Sequence, residues 1–451
     1  MQSLTSSRFV FSVIVFVLIA APVAASEWPQ WLGEKRDAVW NEKGLMTKFP
    51  KDGPPIVWRK PIGEGYAGPA VTGGRIYIMD RVKTAADPKN PQPRGTALGT
   101  ERVQCLSASD GKTVWNHSYD CPYINVAYPT GPRTTPVVDG DRLYTLGTMG
   151  DLRCLKTADG KPVWTRNFPK DFKAPTPAWG WSAHLLLDGD TLFALVGGEG
   201  QAVVAFEKST GKQKWKALTA KEIAYSPPVL IEAGGKRQLI VWLDEAVYSL
   251  DPATGSQYWS EKHPATGDVA RPAVSIITPK HVGDKLIVSS FYHGTLCLKL
   301  DADKPGASVA WRSKNSYPKE VDGLNAVMTS LLVRGEHIYG IAGMGEIICQ
   351  KLATGEVVRT GHEIFGEKAA FCGSVFWVDA GEAVYGLTDQ GDLVVLKLSP
   401  EKCEVLASAH ILETTHAAKG RKAVWAHPAF ADKRIYMKND KEIVCVSVAQ
   451  G

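Results

Sequence analysis

Apolar and polar residues alternate in short runs along most of the chain, and the runs are cut at close intervals by glycine-containing turns. Alternation at period two marks strands with one buried face, and Asp-Gly or Thr-Gly between two such runs marks a hairpin. One phrase recurs with little change: Ser107–Trp115, Leu155–Trp164, Glu207–Trp215 and Asp251–Trp259 each run strand, turn, strand and end on Trp. A weaker copy, Lys351–Val358, has lost the Trp. A second phrase, strand, tight turn, strand, opens each unit at Pro69–Tyr77, Pro136–Tyr144, Leu185–Phe193, Leu331–Tyr339 and Pro428–Tyr436. Diverged copies start near Pro228, Pro272 and Val375, which brings the set to eight.

Each unit therefore predicts four short strands, and Trp115, Trp164, Trp215, Trp259 and Trp311 recur every 44 to 52 residues. A four-stranded sheet cannot bury both faces alone, so units of this period stack in a ring. The prediction is an all-β, eight-bladed β-propeller with four-stranded antiparallel blades. The last unit runs out after three strands, whereas Ile56–Arg59 carries a strand-ending Trp without a blade of its own. The N-terminal strand near Trp58 is thus expected to close the ring. Trp58, Trp115, Trp164, Trp215, Trp259 and Trp311 are expected to dock between blades. Residues 56–451 form the propeller on this reading. Residues 26–55 form an arm, and Trp28, Trp31 and Trp40 pack it against the body.

The repeated Ala-x-Asp/Thr-Gly-Lys-x-x-Trp phrase resembles the tryptophan-docking motif of pyrroloquinoline-quinone (PQQ)-type propellers. Members include quinoprotein alcohol dehydrogenases and the outer-membrane assembly factor BamB. The opening Trp28-Pro29-Gln30-Trp31-Leu32-Gly33 is similar to the first segment of secreted bacterial PQQ-like repeat proteins. The resemblance covers residues 28–448. It implies the fold specifically and the function only weakly, because the Trp motif is architectural.

Charged residues make up 22% of the chain and the net charge is +5 without any Lys/Arg block, which argues against nucleic acid as a partner. At the N-terminus, Arg8, the apolar run Phe9–Ala21 and the small residues through Ala25 read as a secretory signal, cut after Ala25 with Ser26 as the fallback. A retained anchor is the alternative, for which the run is short. The mature protein is then expected in the periplasm or outside the cell, as a monomer without stable membrane insertion. Eight Cys in an exported chain raise disulfides. However, Cys105, Cys154 and Cys349 each lie six residues before the turn Gly, where other repeats place Ala205 and Ser249. Cys297 and Cys445 sit in similar strands. A place that takes Cys, Ala or Ser wants a small buried side chain. Cys121, Cys372 and Cys403 fall outside this phase, and a Cys105–Cys121 bridge stays open.

Chemistry is expected in the segments that cross from each outer strand to the next inner one, since loops on a rigid scaffold carry binding sites. They supply Arg133, Trp179, Trp181, Tyr225, Arg271, Asn325, Phe371 and Trp425. A second register, the residue ahead of each innermost strand, adds Thr135, His184, Ser226, Ser330 and His427, and Arg271 again, as channel-facing groups. Such a funnel, lined by Arg, His, Ser and Thr with aromatic walls, suits a polar or anionic ligand. No catalytic constellation is legible: the ten His make no His-Glu-x-x-His, and neither Gly-x-Ser-x-Gly nor Cys-x-x-Cys occurs. The quinoprotein resemblance implies PQQ held with Ca²⁺ by a Glu, an Asn and an Asp, and in many members a vicinal disulfide. Here there is no Cys-Cys, and the crossings offer Asn325 and Asp322 but no clear Glu/Asp/Asn set. The expectation is a binding or scaffolding module of the bacterial envelope, without cofactor or metal, that recognises an envelope protein or peptide. A PQQ-dependent oxidoreductase and a glycan- or peptide-binding propeller are the alternatives.

Overall fold

The computed structural model describes residues 26–84, 95–265, 269, 271–315, 322–366, 368–418 and 420–451. The expected signal, 1–25, lies outside them. Eight four-stranded antiparallel sheets follow one another around a ring. Blade 1 comprises Ala70–Thr72, Arg75–Lys83, Gly99–Ser107 and Thr113–Asp120, from inside outwards. Blades 2 to 8 open at Val137, Leu186, Val229, Lys280, Leu332, Val375 and Ala429. The outer strand of blade 8 is Ile56–Pro61, paired with Glu442–Ser447 so that Trp58 lies opposite Cys445. Closure through Trp58 is as the sequence predicts. Blade 5 corrects it: the inner strand follows Pro279, not Pro272. Among the described residues no helix is long and apolar enough to cross a membrane.

The small-residue phase has a packing cause. Across blade 2, Tyr144, Cys154 and Trp164 stand side by side, and in blade 3 the row is Phe193, Ala205 and Trp215. A small side chain between two rings lets both lie on the sheet. Cys105, Cys121, Cys154, Cys297, Cys349, Cys403 and Cys445 are buried free thiols. Burial pushes Cys154 up to about 11 and Cys445 to about 12, so neither forms a thiolate readily.

Docking follows from the turn. The indole N–H groups of Trp58, Trp115, Trp164, Trp215 and Trp311 donate to carbonyls of the next blade's turn, Ala108, Thr157, Lys208, Pro252 and Leu352, at 2.9–3.1 Å. Each ring then lies on that turn's glycine. At Gly160, φ is +71° and a Cβ would come within 2.5 Å of the Trp115 ring, so both backbone and space require glycine. Trp259 departs from the expectation. Its N–H turns back to Gln238 of its own blade, 2.8 Å away. The facing turn of blade 5 is the longer Asp301–Gly306, and its Lys304 carbonyl packs on Gly234 instead.

The arm runs across the face opposite the crossings. Trp28 exchanges two backbone hydrogen bonds with Val71 of blade 1, and the Pro29 carbonyl accepts from Val138 of blade 2. The Arg36 guanidinium donates to the carbonyls of Leu185 and Pro228, which lead into blades 3 and 4. Lys280 of blade 5 donates to the Asp37 carbonyl. Asp379 of blade 7 brackets Ala38 and Trp40, and Met46 donates to the Val448 carbonyl beyond blade 8. The Trp40 ring meets Tyr385 of blade 7 and Phe430 of blade 8, at 5.4 and 5.3 Å between centroids.

Candidate functional site: an aromatic pocket closed by the arm

The crossings converge on a cavity of about 230 Å³ over the ring axis. Its floor is Trp31. The indole stacks on His184 with centroids 4.1 Å apart and planes 6° apart, tilts against His427 at 4.3 Å, and donates to Thr278 Oγ1 at 2.8 Å. One wall is Trp179 against Tyr225, 4.8 Å between centroids. Tyr225 is fixed through its hydroxyl, which donates to Glu222 and accepts from the Trp179 backbone N–H. A second wall is Tyr66, Tyr128 and Trp425, grouped around His416. The third is Phe291, Tyr292 and Phe371.

Among the described residues, Arg133 is the one ionic side chain of the lining. It is buried and donates to the carbonyls of Gly131, Ala127 and Tyr128 and to Thr148 Oγ1, so its hydrogen-bond partners include no carboxylate. The imidazoles add no charge. His184 accepts from the Thr135 backbone N–H at Nδ1, which leaves its proton on Nε2. Burial, then nearby His427 and Arg36, hold it well below the ordinary histidine range. Burial brings His427 down to about 3, although part of its ring faces the cavity. Burial and then the Glu222 carboxylate push the Tyr225 phenol up, so it stays protonated. At neutral pH the pocket is aromatic and, among the described residues, free of acids.

Of the residues expected to form a binding face, the structure brings Arg133, Trp179, His184, Tyr225, Phe371, Trp425 and His427 together. Thr135 and Ser330 line a smaller void beneath Trp31. The remaining four lie elsewhere. Trp181 is in the core, its N–H on the Val196 carbonyl, and Ser226 is buried with its hydroxyl on the Ile277 carbonyl. Arg271 sits at the surface, 2.6 Å from Asp244, and Thr278 takes the channel position assigned to it. Asn325 ties the Phe291 carbonyl to the Gly343 N–H. The expected aromatic walls with Arg133 and the two His are thus in the cavity lining, whereas Thr135, Ser226 and Ser330 are not. Trp31, Tyr66, Phe291 and Tyr292 were missed as site residues. Phe291 and Tyr292 had a signal: two aromatics in a turn have no sheet face to bury against.

The sequence profile of the family described as Outer membrane protein assembly factor BamB matches residues 99–361. The chain belongs to this family of PQQ-like repeat propellers. No curated protein matches it in sequence. Among solved structures, BamB from Moraxella catarrhalis aligns at 13% identity with a TM-score of 0.53, over 86% of this chain and 97% of its own. The quinohemoprotein alcohol dehydrogenase from Comamonas testosteroni aligns at 13% and 0.59, over 94% and 81%. A computationally designed protein, Ika8, aligns at 10% and 0.52, over 87% and 99%. Identities this low make the likeness one of fold.

The dehydrogenase raises PQQ and its metal, and the lining does not fit them. Among the described residues no Asp or Glu lines the cavity, and no three His, Cys, Asp or Glu group as metal ligands. A quinone carboxylate would find only Arg133, whose terminal nitrogens are already engaged with protein acceptors.

Proposed function

We propose that this chain is an exported, non-catalytic binding propeller of the bacterial cell envelope, and that its aromatic pocket takes an apolar side chain of a partner protein or peptide. The observation that carries the reading is the lining: three aromatic walls over an aromatic floor, with a single ionic group. Rigid aromatic rings supply large contact area at little entropic cost and dominate binding energy where they surround a buried anchor. Exposed Phe371, with exposed Met344 beside it, extends the apolar surface beyond the mouth. Family membership and the BamB neighbour support a partner-binding role, and the leader-like residues 1–25 support export.

Titration of the intrinsic tryptophan fluorescence with short blocked peptides tests this. Peptides with a Phe, Trp or Leu anchor bind, and those with Ala or Lys at that place bind far less. Trp179→Ala and Phe371→Ala each weaken binding roughly 30-fold with little change in melting temperature. Equal affinity for all anchors, or binding indifferent to both substitutions, would refute the assignment.

A further inference from the structure

We propose that Trp31, carried in from the N-terminal arm, is the depth stop of the aromatic pocket: it turns a channel along the ring axis into a blind site for one slim apolar group. The inference rests on the pocket being a ligand site. Trp31 and His427 line both the upper cavity of about 230 Å³ and a lower void of about 20 Å³. The indole is therefore the partition between them. It is held as a fixed part would be, stacked on His184, pressed by His427 and hydrogen-bonded to Thr278, and it is 8% exposed.

Its backbone is fixed as well. Hydrogen bonds to blades 1 and 2 hold the segment before it, and the two Arg36 bonds to the approaches of blades 3 and 4 hold the segment after it. The floor comes from a part of the chain outside the repeat, so its depth is set independently of the walls. Beyond the partition the lining stays mostly apolar, with Trp28, Leu32, Phe376, Trp377 and Phe430 beside Thr135 and Ser330. Removing the indole joins the void to the cavity and lengthens the apolar site. Among the described residues the lining offers no carboxylate to a cation, so the ligand class is a neutral apolar group no deeper than the Trp31 plane.

A series of para-alkylphenols with lengthening unbranched chains, titrated by calorimetry, reads this depth. In the wild type, affinity rises roughly fourfold for each added methylene while the chain still buries, then stops rising at a limiting length. In Trp31→Ala the limit moves out by several carbons, while the short phenols lose only a few-fold. Trp31→Phe, which keeps a ring in place, restores the wild-type limit. If Trp31→Ala does not fold, Trp31→Leu moves the limit by a smaller step in the same direction. An unchanged limit in these variants overturns the depth-stop assignment and leaves the pocket reading intact, as does a uniform loss at every chain length. Failure of the wild type to bind any member overturns both.

Discussion

The seams of the ring are closed by two different devices. From blade 8 through blade 4, and again between blades 5 and 6, an indole on the outer strand of one blade lies on a turn glycine of the next and donates to its carbonyl. Around blades 6, 7 and 8 the device is gone. Arg359 stands where blade 6 should have its Trp, opposite Cys349, and pairs with Glu363. Ala407 holds that place in blade 7, opposite Val395. The turn that would receive a docked ring, Ser399–Lys402, has no glycine. Here the arm takes over. Trp40 wedges between Tyr385 and Phe430, Asp379 is bracketed by arm hydrogen bonds, and the Tyr385 hydroxyl donates to the Met46 carbonyl. The repeat seals a seam at its circumference with a local phrase. The arm seals nearer the axis with residues from the far end of the sequence. The lesson is that the repeat decays where something else carries its load.

Removing the arm's wedge gives the largest expected effect. Trp40→Ala empties a site that is 2% exposed and costs about 3–5 kcal/mol. Hydrogen exchange should show protection lost in blades 7 and 8 before blades 2 and 3, and a uniform loss would mean the arm is not a local closure. The docked seams give the next contrast. Trp164→Ala should cost about 3–4 kcal/mol in chemical denaturation, since the buried ring and its inter-blade hydrogen bond go together. Trp259→Ala should cost less, about 1–2 kcal/mol, because its bond is internal to the blade and Gln238 Oε1 keeps the Ser249 hydroxyl as donor. Equal costs would put Trp259 among the docking residues after all.

Acid should sharpen the comparison more gently. His184 and His427 stay neutral in the fold, and their folded values lie below the unfolded value of about 6.5. Between those values the unfolded chain binds more protons than the folded one. Stability is therefore fully present above about pH 6.5 and falls as pH drops toward about 3, where His427 titrates in the fold. The loss between pH 7 and 5 is at most about 2 kcal/mol per imidazole. Both rings contact Trp31, so denaturation midpoints should fall with acid, and His427→Gln should flatten that dependence.

The fold was legible because its determinants are local. A turn glycine, a strand-ending Trp and a small residue six positions before the glycine are each fixed by contacts within a blade or with its neighbour, so they recur in the sequence. Seven of the pocket residues were legible too, since a crossing in register with the repeat has a known place. Arg271 failed for the same reason inverted. Pro272 resembles the proline that opens a blade, yet the strand begins after Pro279, and the shift takes Arg271 to the surface beside Asp244. Trp181 failed because an aromatic in a crossing can turn toward the mouth or the core, and only the neighbouring Val196 carbonyl decides.

The sequence by itself determined the ring, the number of blades, the phase of the free thiols and the closure through Trp58. Periodic burial leaves a periodic mark, and each of these follows from it. Only the tertiary structure decided where the arm goes, that Trp31 lies across the channel and that Thr135, Ser226 and Ser330 stay out of the pocket. Those outcomes rest on single contacts between distant segments, such as Trp31 with Thr278 and Trp40 with Tyr385, which no repeat records.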